Sequence, residues 1–130
     1  MKMEILQPPG WPRPKGYSNG IRTSGDMIFV AGQVGWNEQE EFTSDAIEDQ
    51  IRQALKNILA ILKEADAGPE HIVRMTWFVT HKQEYLDKQK EVGAAYREVM
   101  GNVYPVMSLI QIAGLIEHGA KVEIEATAVI

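Results

Sequence analysis

Two periodicities run through the apolar residues of this chain and predict its elements. Over residues 122–128 the alternation is strict, with Val122, Ile124, Ala126 and Ala128 on one face of a strand and Glu123 and Glu125 on the other. Met27 to Ala31 is a continuous apolar run closed by Gly32 and Gln33. That is the pattern of a strand buried on both faces, ending at Gly32 where backbone comes close to something. Across residues 72–80, Val73, Met75, Trp77 and Val79 alternate with Arg74, Thr76, Phe78 and Thr80, a third strand. Pro105 introduces a fourth over residues 106–113, and a turn through Glu117, His118 and Gly119 leads into the last.

The helical period occurs twice. Ile47, Ile51, Ala54, Leu55, Ile58, Ile61, Leu62 and Ala65 form one stripe, opened by Asp45 and Glu48 at capping-box spacing and stopped by Gly68-Pro69. Leu86, Gln89, Val92, Gly93, Tyr96, Val99 and Met100 form a second, over residues 83–100. Gly93 inside it costs about 1 kcal/mol against alanine, so close packing or ligand access is one reading and tolerated accident the other. Residues 7–16, with four prolines and two glycines, predict an extended lead-in to Tyr17.

The order strands, helix, strand, helix, two strands predicts an α+β domain with one mixed sheet and two helices on one face. The uncovered face, carrying residues such as Leu109, Trp77 or Phe78, is too apolar to be left wet. An oligomer that buries it, with clefts where subunits meet, is therefore expected.

Composition narrows this further. At 130 residues and 45% hydrophobic, the chain fits a single domain over residues 1–130. Without cysteine there is no disulfide, thiolate metal site or cysteine nucleophile. No apolar run suits a membrane span and no secretory signal is visible, so a soluble cytoplasmic protein is expected. The net charge of −5 and dispersed lysines and arginines disfavour nucleic acid as a partner.

Few residues signal chemistry on their own. His71, His81 and His118 are far apart at turns or element ends and lack metal-site spacing, so no metal is expected. Ser108 has no nucleophile elbow around it, and no helix opens behind Gly32 and Gly35 to make a phosphate loop. Of Trp11, Trp36 and Trp77, Trp36 in its polar loop is the candidate ligand wall. The paired strand carboxylates fit solvation, an interface ion pair or water positioning equally.

Several segments taken together resemble a known family. They are Gly16-Tyr17-Ser18, Phe29-Val30-Ala31-Gly32-Gln33, the helix from Gln50 to Ile58, the strand ending Phe78-Val79-Thr80, and the stretch from Pro105 to Ala128 with its Val-Glu-Ile-Glu-Ala. They resemble the reactive intermediate deaminases, the RidA, YjgF or L-PSP family, in the same order over nearly the whole chain. The resemblance implies a chorismate-mutase-like fold and a homotrimer whose sheets form a central barrel, with three inter-subunit clefts. It also implies hydrolysis of reactive enamines and imines to a 2-oxo acid and ammonia without a cofactor. Carried over, Tyr17 is the site tyrosine, Gly32 and Gln33 the backbone donors, and Glu123 the carboxylate that orients or deprotonates water, with Ser108 beside the substrate.

The chain departs from the family pattern at two of these positions. Where family deaminases carry Pro-Ala-Arg-Ser it reads Pro105-Val106-Met107-Ser108, so a thioether replaces the carboxylate-clamping arginine. Losing two charge-assisted hydrogen bonds at roughly 1.5–3 kcal/mol each removes about two to four orders of magnitude in affinity for an acid. Gly93 stands where the family often has asparagine, which implies a roomier cleft and a more apolar ligand. Arg97, one turn further on the same face, reads first as a surface or interface arginine and second as a clamp entering the cleft from the adjacent subunit. His118 has only its position before the acidic strand to suggest a role. Three readings follow: a divergent imine or enamine deaminase with weak or no activity on ordinary 2-imino acids, a non-catalytic ligand-binding or regulatory trimer, or the endoribonuclease and translation-inhibitor activity for which some relatives are named.

Overall fold

The computed structural model describes residues 3–130. A short hairpin of β1 (Glu4–Leu6) and β2 (Gly20–Arg22) precedes a four-stranded sheet of β3 (Met27–Val34), β4 (Ile72–Val79), β5 (Val106–Gln111) and β6 (Val122–Val129). The sheet order is β3-β6-β4-β5. β6 runs antiparallel to both neighbours and β5 parallel to β4, which leaves β3 and β5 as edges. Helix α1 (Ile47–Lys63) crosses between β3 and β4, and α2 (Lys82–Asp87) with α3 (Gln89–Met100) between β4 and β5. Among the described residues no helix is long and apolar enough to cross a membrane.

One face of the sheet is covered by α1 and α3. Val122, Ile124, Ala126 and Ala128 of β6 and Met75, Trp77 and Val79 of β4 meet Ile51, Leu55, Ile58 and Leu62 of α1 and Val92, Tyr96 and Met100 of α3 in one core. The alternation of β6 thus turns its carboxylates to the opposite, open face, as its sequence dictates.

The expected elements form, with seven corrections. The second helix is two helices, because Lys88 at φ −115° and ψ 19° breaks the hydrogen-bond ladder between Asp87 and Gln89. Asp45 does not cap α1. Ala46 takes that place with no side-chain cap, while Ser44 Oγ donates to Asp49 at 2.8 Å and accepts from the Ala46 N–H at 3.1 Å. The helix stops at Lys63, five residues before Gly68, where Asp66 takes a positive φ of 54° and the Ala67 N–H turns back to the Leu62 carbonyl at 3.0 Å. Ile61, counted in the apolar stripe, faces outward.

The fifth correction concerns which face is open. Trp77 is 2% exposed and lies under the helices with Leu109, its register partner in β5; of the three residues assigned to the open face only Phe78 is there. β3 is not buried on both faces within one chain, since Phe29 is 72% and Met27 58% exposed. Nor does it end at Gly32: the strand continues to Val34 past a bulge between Val30 and Gln33.

Candidate functional site

A cleft of about 470 Å³ opens where the edge strand β5 meets α2 and α3. Its base is built from Met107 and Leu109 of β5 with Trp77 of β4. One wall comes from Tyr85, Gln89, Gly93, Tyr96 and Arg97, the other from Lys15, Gly16, Tyr17 and Tyr104.

Tyr17 reaches this place because the following residue is tied to the start of β5. The Ser18 N–H donates to the Pro105 carbonyl at 3.1 Å and Ser18 Oγ to the Tyr104 carbonyl at 2.6 Å, and Ser18 bridges to Val106 in parallel. The Pro/Gly-rich lead-in therefore ends in a fixed anchor, and Tyr17 and Met107 line the same cleft.

Aromatic packing shapes the interior. Tyr96 lies 6.1 Å from Trp77 and stacks at 6.1 Å and 17° on Tyr104, and its hydroxyl donates to the Val103 carbonyl. Burial, reinforced by the neighbouring Tyr104, holds the Tyr96 phenol far above its ordinary range, and burial also raises Tyr85, partly offset by a hydrogen bond from Gln89. Both are neutral donors at any physiological pH. The indole Nε1 of Trp77 is buried and has no hydrogen-bond partner among the described residues.

Gly93 admits a charged group here. A Cβ built on it would lie 3.2 Å from Nη1 of Arg97, so the guanidinium folds back over the glycine along the helix. Arg97 is thus in the cleft of its own chain, beside Met107.

Glu123, Gly32 and Gln33 form a second group, on the other side of the sheet. Glu123 projects from β6 onto the open face, where a Cβ at Gly32 would stand 2.6 Å from its Oε2. Glycine is required at that point of the bulge because the carboxylate lies over the backbone. The bulge leaves Ala31 and Gly32 out of the β6 ladder, and Gln33 Nε2 donates to the Ala31 carbonyl at 3.1 Å. Glu123 and Met107 lie on opposite faces with β4 between their strands, so one chain does not unite the two groups.

The remaining candidates stand apart from both. Ser108 is exposed on the open face opposite Thr76. Trp36 packs on Phe42 at 5.7 Å, its carbonyl taking a hydrogen bond from Asn57 Nδ2 at 2.8 Å, and lines neither group. His118 is exposed in the loop before β6, and among the described residues no group of three or more His, Cys, Asp or Glu could hold a metal ion. Lys15, Trp77, Tyr85, Gln89, Tyr96 and Tyr104 were not legible as site residues, because they come from five separate segments and carry no local motif.

Comparison with known proteins agrees with this architecture. Residues 12–130 match the endoribonuclease L-PSP family. A RutC family protein of Aquifex aeolicus is 32% identical, covering 98% of this chain and 99% of the relative. The chloroplastic reactive intermediate deaminase A of Arabidopsis thaliana is 31% identical over 98% of this chain and 66% of its own length. Among solved structures, YyfB of the Rid family from Yersinia pestis superposes with a TM-score of 0.86 at 27% identity over the whole of both chains. Escherichia coli TdcF, solved with bound serine, gives 0.69 at 31% identity over 98% of each. The chain belongs to the RidA/YjgF/L-PSP family, whose curated members include reactive intermediate deaminases.

Proposed function

We propose that this family member is a cytoplasmic, cofactor-independent deaminase of a small reactive imine or enamine, working at clefts completed by a second subunit of a homotrimer. The observation that carries the reading is the division of the site. The cleft holding Tyr17 lies at the β5 edge, while Glu123 stands on the open face near the β3 edge, its carboxylate without a hydrogen bond or ion pair among the described residues. Stacking sheets edge to edge around a three-fold axis supplies the missing half to each cleft.

The chemistry is hydrolysis of a C=N bond. Water adds to the imine carbon, passing a proton to Glu123, while the nitrogen is protonated. The carbinolamine so formed then expels ammonia and leaves a carbonyl. Tyr17 holds the substrate, and the Gly32–Gln33 backbone faces the developing charge.

With Met107 in place of an arginine, ordinary 2-imino acids are poor substrates. Ammonia release from freshly generated small 2-imino acids should be weak in the parent, rise in Met107→Arg, and vanish when Glu123→Gln is added. Parent activity that Met107→Arg leaves unchanged would remove the role given to Met107. If no imine of any size releases ammonia while acids still bind, the non-catalytic ligand-binding trimer replaces this reading. A ribonuclease is disfavoured by the net charge of −5.

A further inference from the structure

The cleft runs against the charge of the chain. The sequence carries 18 acids against 13 lysines and arginines, yet the cleft is lined by Lys15 and Arg97 with no Asp or Glu among its described residues. Neither cation has an ion pair or hydrogen bond among the described residues. The acid next to Arg97, Glu98, is turned instead to Arg52, whose Nε lies 3.0 Å from its Oε2. Even with one Glu123 brought by a second subunit, two cations without an acid of their own beside aromatic walls leave net positive charge for an anion.

The positions of these charges also say what kind of anion. The thioether of Met107 occupies the base of the cleft and offers an apolar surface continuous with Leu109 and Trp77. Arg97 enters from α3, and the absence of a side chain at Gly93 leaves room for its guanidinium, whose Nη1 lies 3.2 Å from where a Cβ would stand. Trp77 supplies a buried N–H without an acceptor. An acid bound at Arg97 therefore extends an apolar or aromatic body across Tyr96, Tyr104 and Met107.

We propose that Arg97, aided by Lys15, is the carboxylate clamp of this cleft, and that the pairing of Gly93 with Arg97 shifts specificity from short acids to acids bearing an aromatic or comparably broad side chain. The guanidinium offers a planar fork of donors that a carboxylate accepts two at a time. The substrate class, aromatic 2-imino acids, rests on the deaminase reading, whereas the clamp itself is a binding property and can be measured without turnover.

Titration calorimetry with 3-phenylpropanoate, its neutral amide 3-phenylpropanamide, and propanoate tests the clamp. The aromatic acid should bind tightest. Arg97→Gln should weaken it about 10- to 100-fold, the loss of a charge-assisted hydrogen bond, and leave the amide unaffected. Gly93→Leu, whose side chain fills the space the guanidinium occupies, should weaken the acid with an unchanged circular dichroism spectrum. Equal binding of acid and amide, or an Arg97→Gln variant with parental acid affinity, would overturn the clamp; ammonia release could persist in that case. Arg97-dependent acid binding in a protein that releases no ammonia would instead overturn only the deaminase reading.

Discussion

Gln50 shows how much a single buried polar residue organises. It is 1% exposed, and its amide donates to the carbonyls of Ser44 at 3.1 Å and Gly119 at 3.0 Å while accepting from the Lys121 N–H at 2.8 Å. The start of α1 is thereby tied to the start of β6, the strand that carries Glu123. Gln50→Leu leaves one buried donor and two acceptors without partners, so it should lower stability by about 2–4 kcal/mol in urea denaturation. Asp49 beside it has its pKa held below 3.8 by hydrogen bonds from Ser44 and Arg52. A carboxylate depressed in the folded state contributes stability that is complete above its unfolded pKa and lost as pH falls through the folded one. Asp49→Asn should therefore reduce stability at neutral pH and flatten its decline at acid pH below about 3.8, read by thermal melts across pH. At this scale little was legible beforehand. Gln50 reads in the sequence as one more polar residue of a helix, since periodicity does not say that the turn before β6 will descend onto it. Glu123 was marked with Glu125 by the strand alternation, but its role, like those of Tyr17 and Met107, came only from the resemblance.

The elements divide by whether their signal is local. The stripe of α1 and the alternation of β6 could be read directly, because each repeats its own period over two turns or more. The hairpin of β1 and β2 could not, since three-residue strands are defined by their register, Glu4 with Arg22 through Leu6 with Gly20, across a long intervening segment. Strand alternation in β4 separated two faces without naming the one α1 and α3 would cover, which is why Trp77 was placed on the wrong side. The bulge in β3 is the element-scale feature with a functional consequence. Gly32→Ala would set a methyl 2.6 Å from Oε2 of Glu123 and displace the carboxylate. Misplacing a reacting group by about 1 Å costs up to about 100-fold in rate, so ammonia release should fall steeply with an unchanged circular dichroism spectrum. Full activity in that variant would show that the position of Glu123 against β3 is immaterial.

Across the whole molecule, the open face is mostly polar on its inner strands, with Phe78 the apolar exception, and carries exposed apolar residues at its edges. Arg74, Thr76, Glu125 and Thr127 occupy the inner strands, whereas Met27 and Phe29 stand on β3 and Ile110 on β5, all three exposed. Edges of that kind suit contact between neighbouring sheets, with the polar centre left to the interior of a barrel. If the proposed trimer forms through these edges, Phe29→Glu should give a folded monomer in sedimentation equilibrium, and an unchanged mass would place the interface elsewhere. In the proposed trimer the same arrangement makes the site a property of two chains. Subunit complementation tests that claim most directly. Glu123→Gln and Tyr17→Phe chains, each inactive alone toward the imine of phenylpyruvate, are unfolded together and refolded as mixed trimers. If Tyr17 and Glu123 serve one cleft from different subunits, about a quarter of the clefts in an equal mixture regain both groups and ammonia release returns. If the mixture stays as inactive as its parents, the two residues do not meet across an interface and the shared-cleft account is wrong.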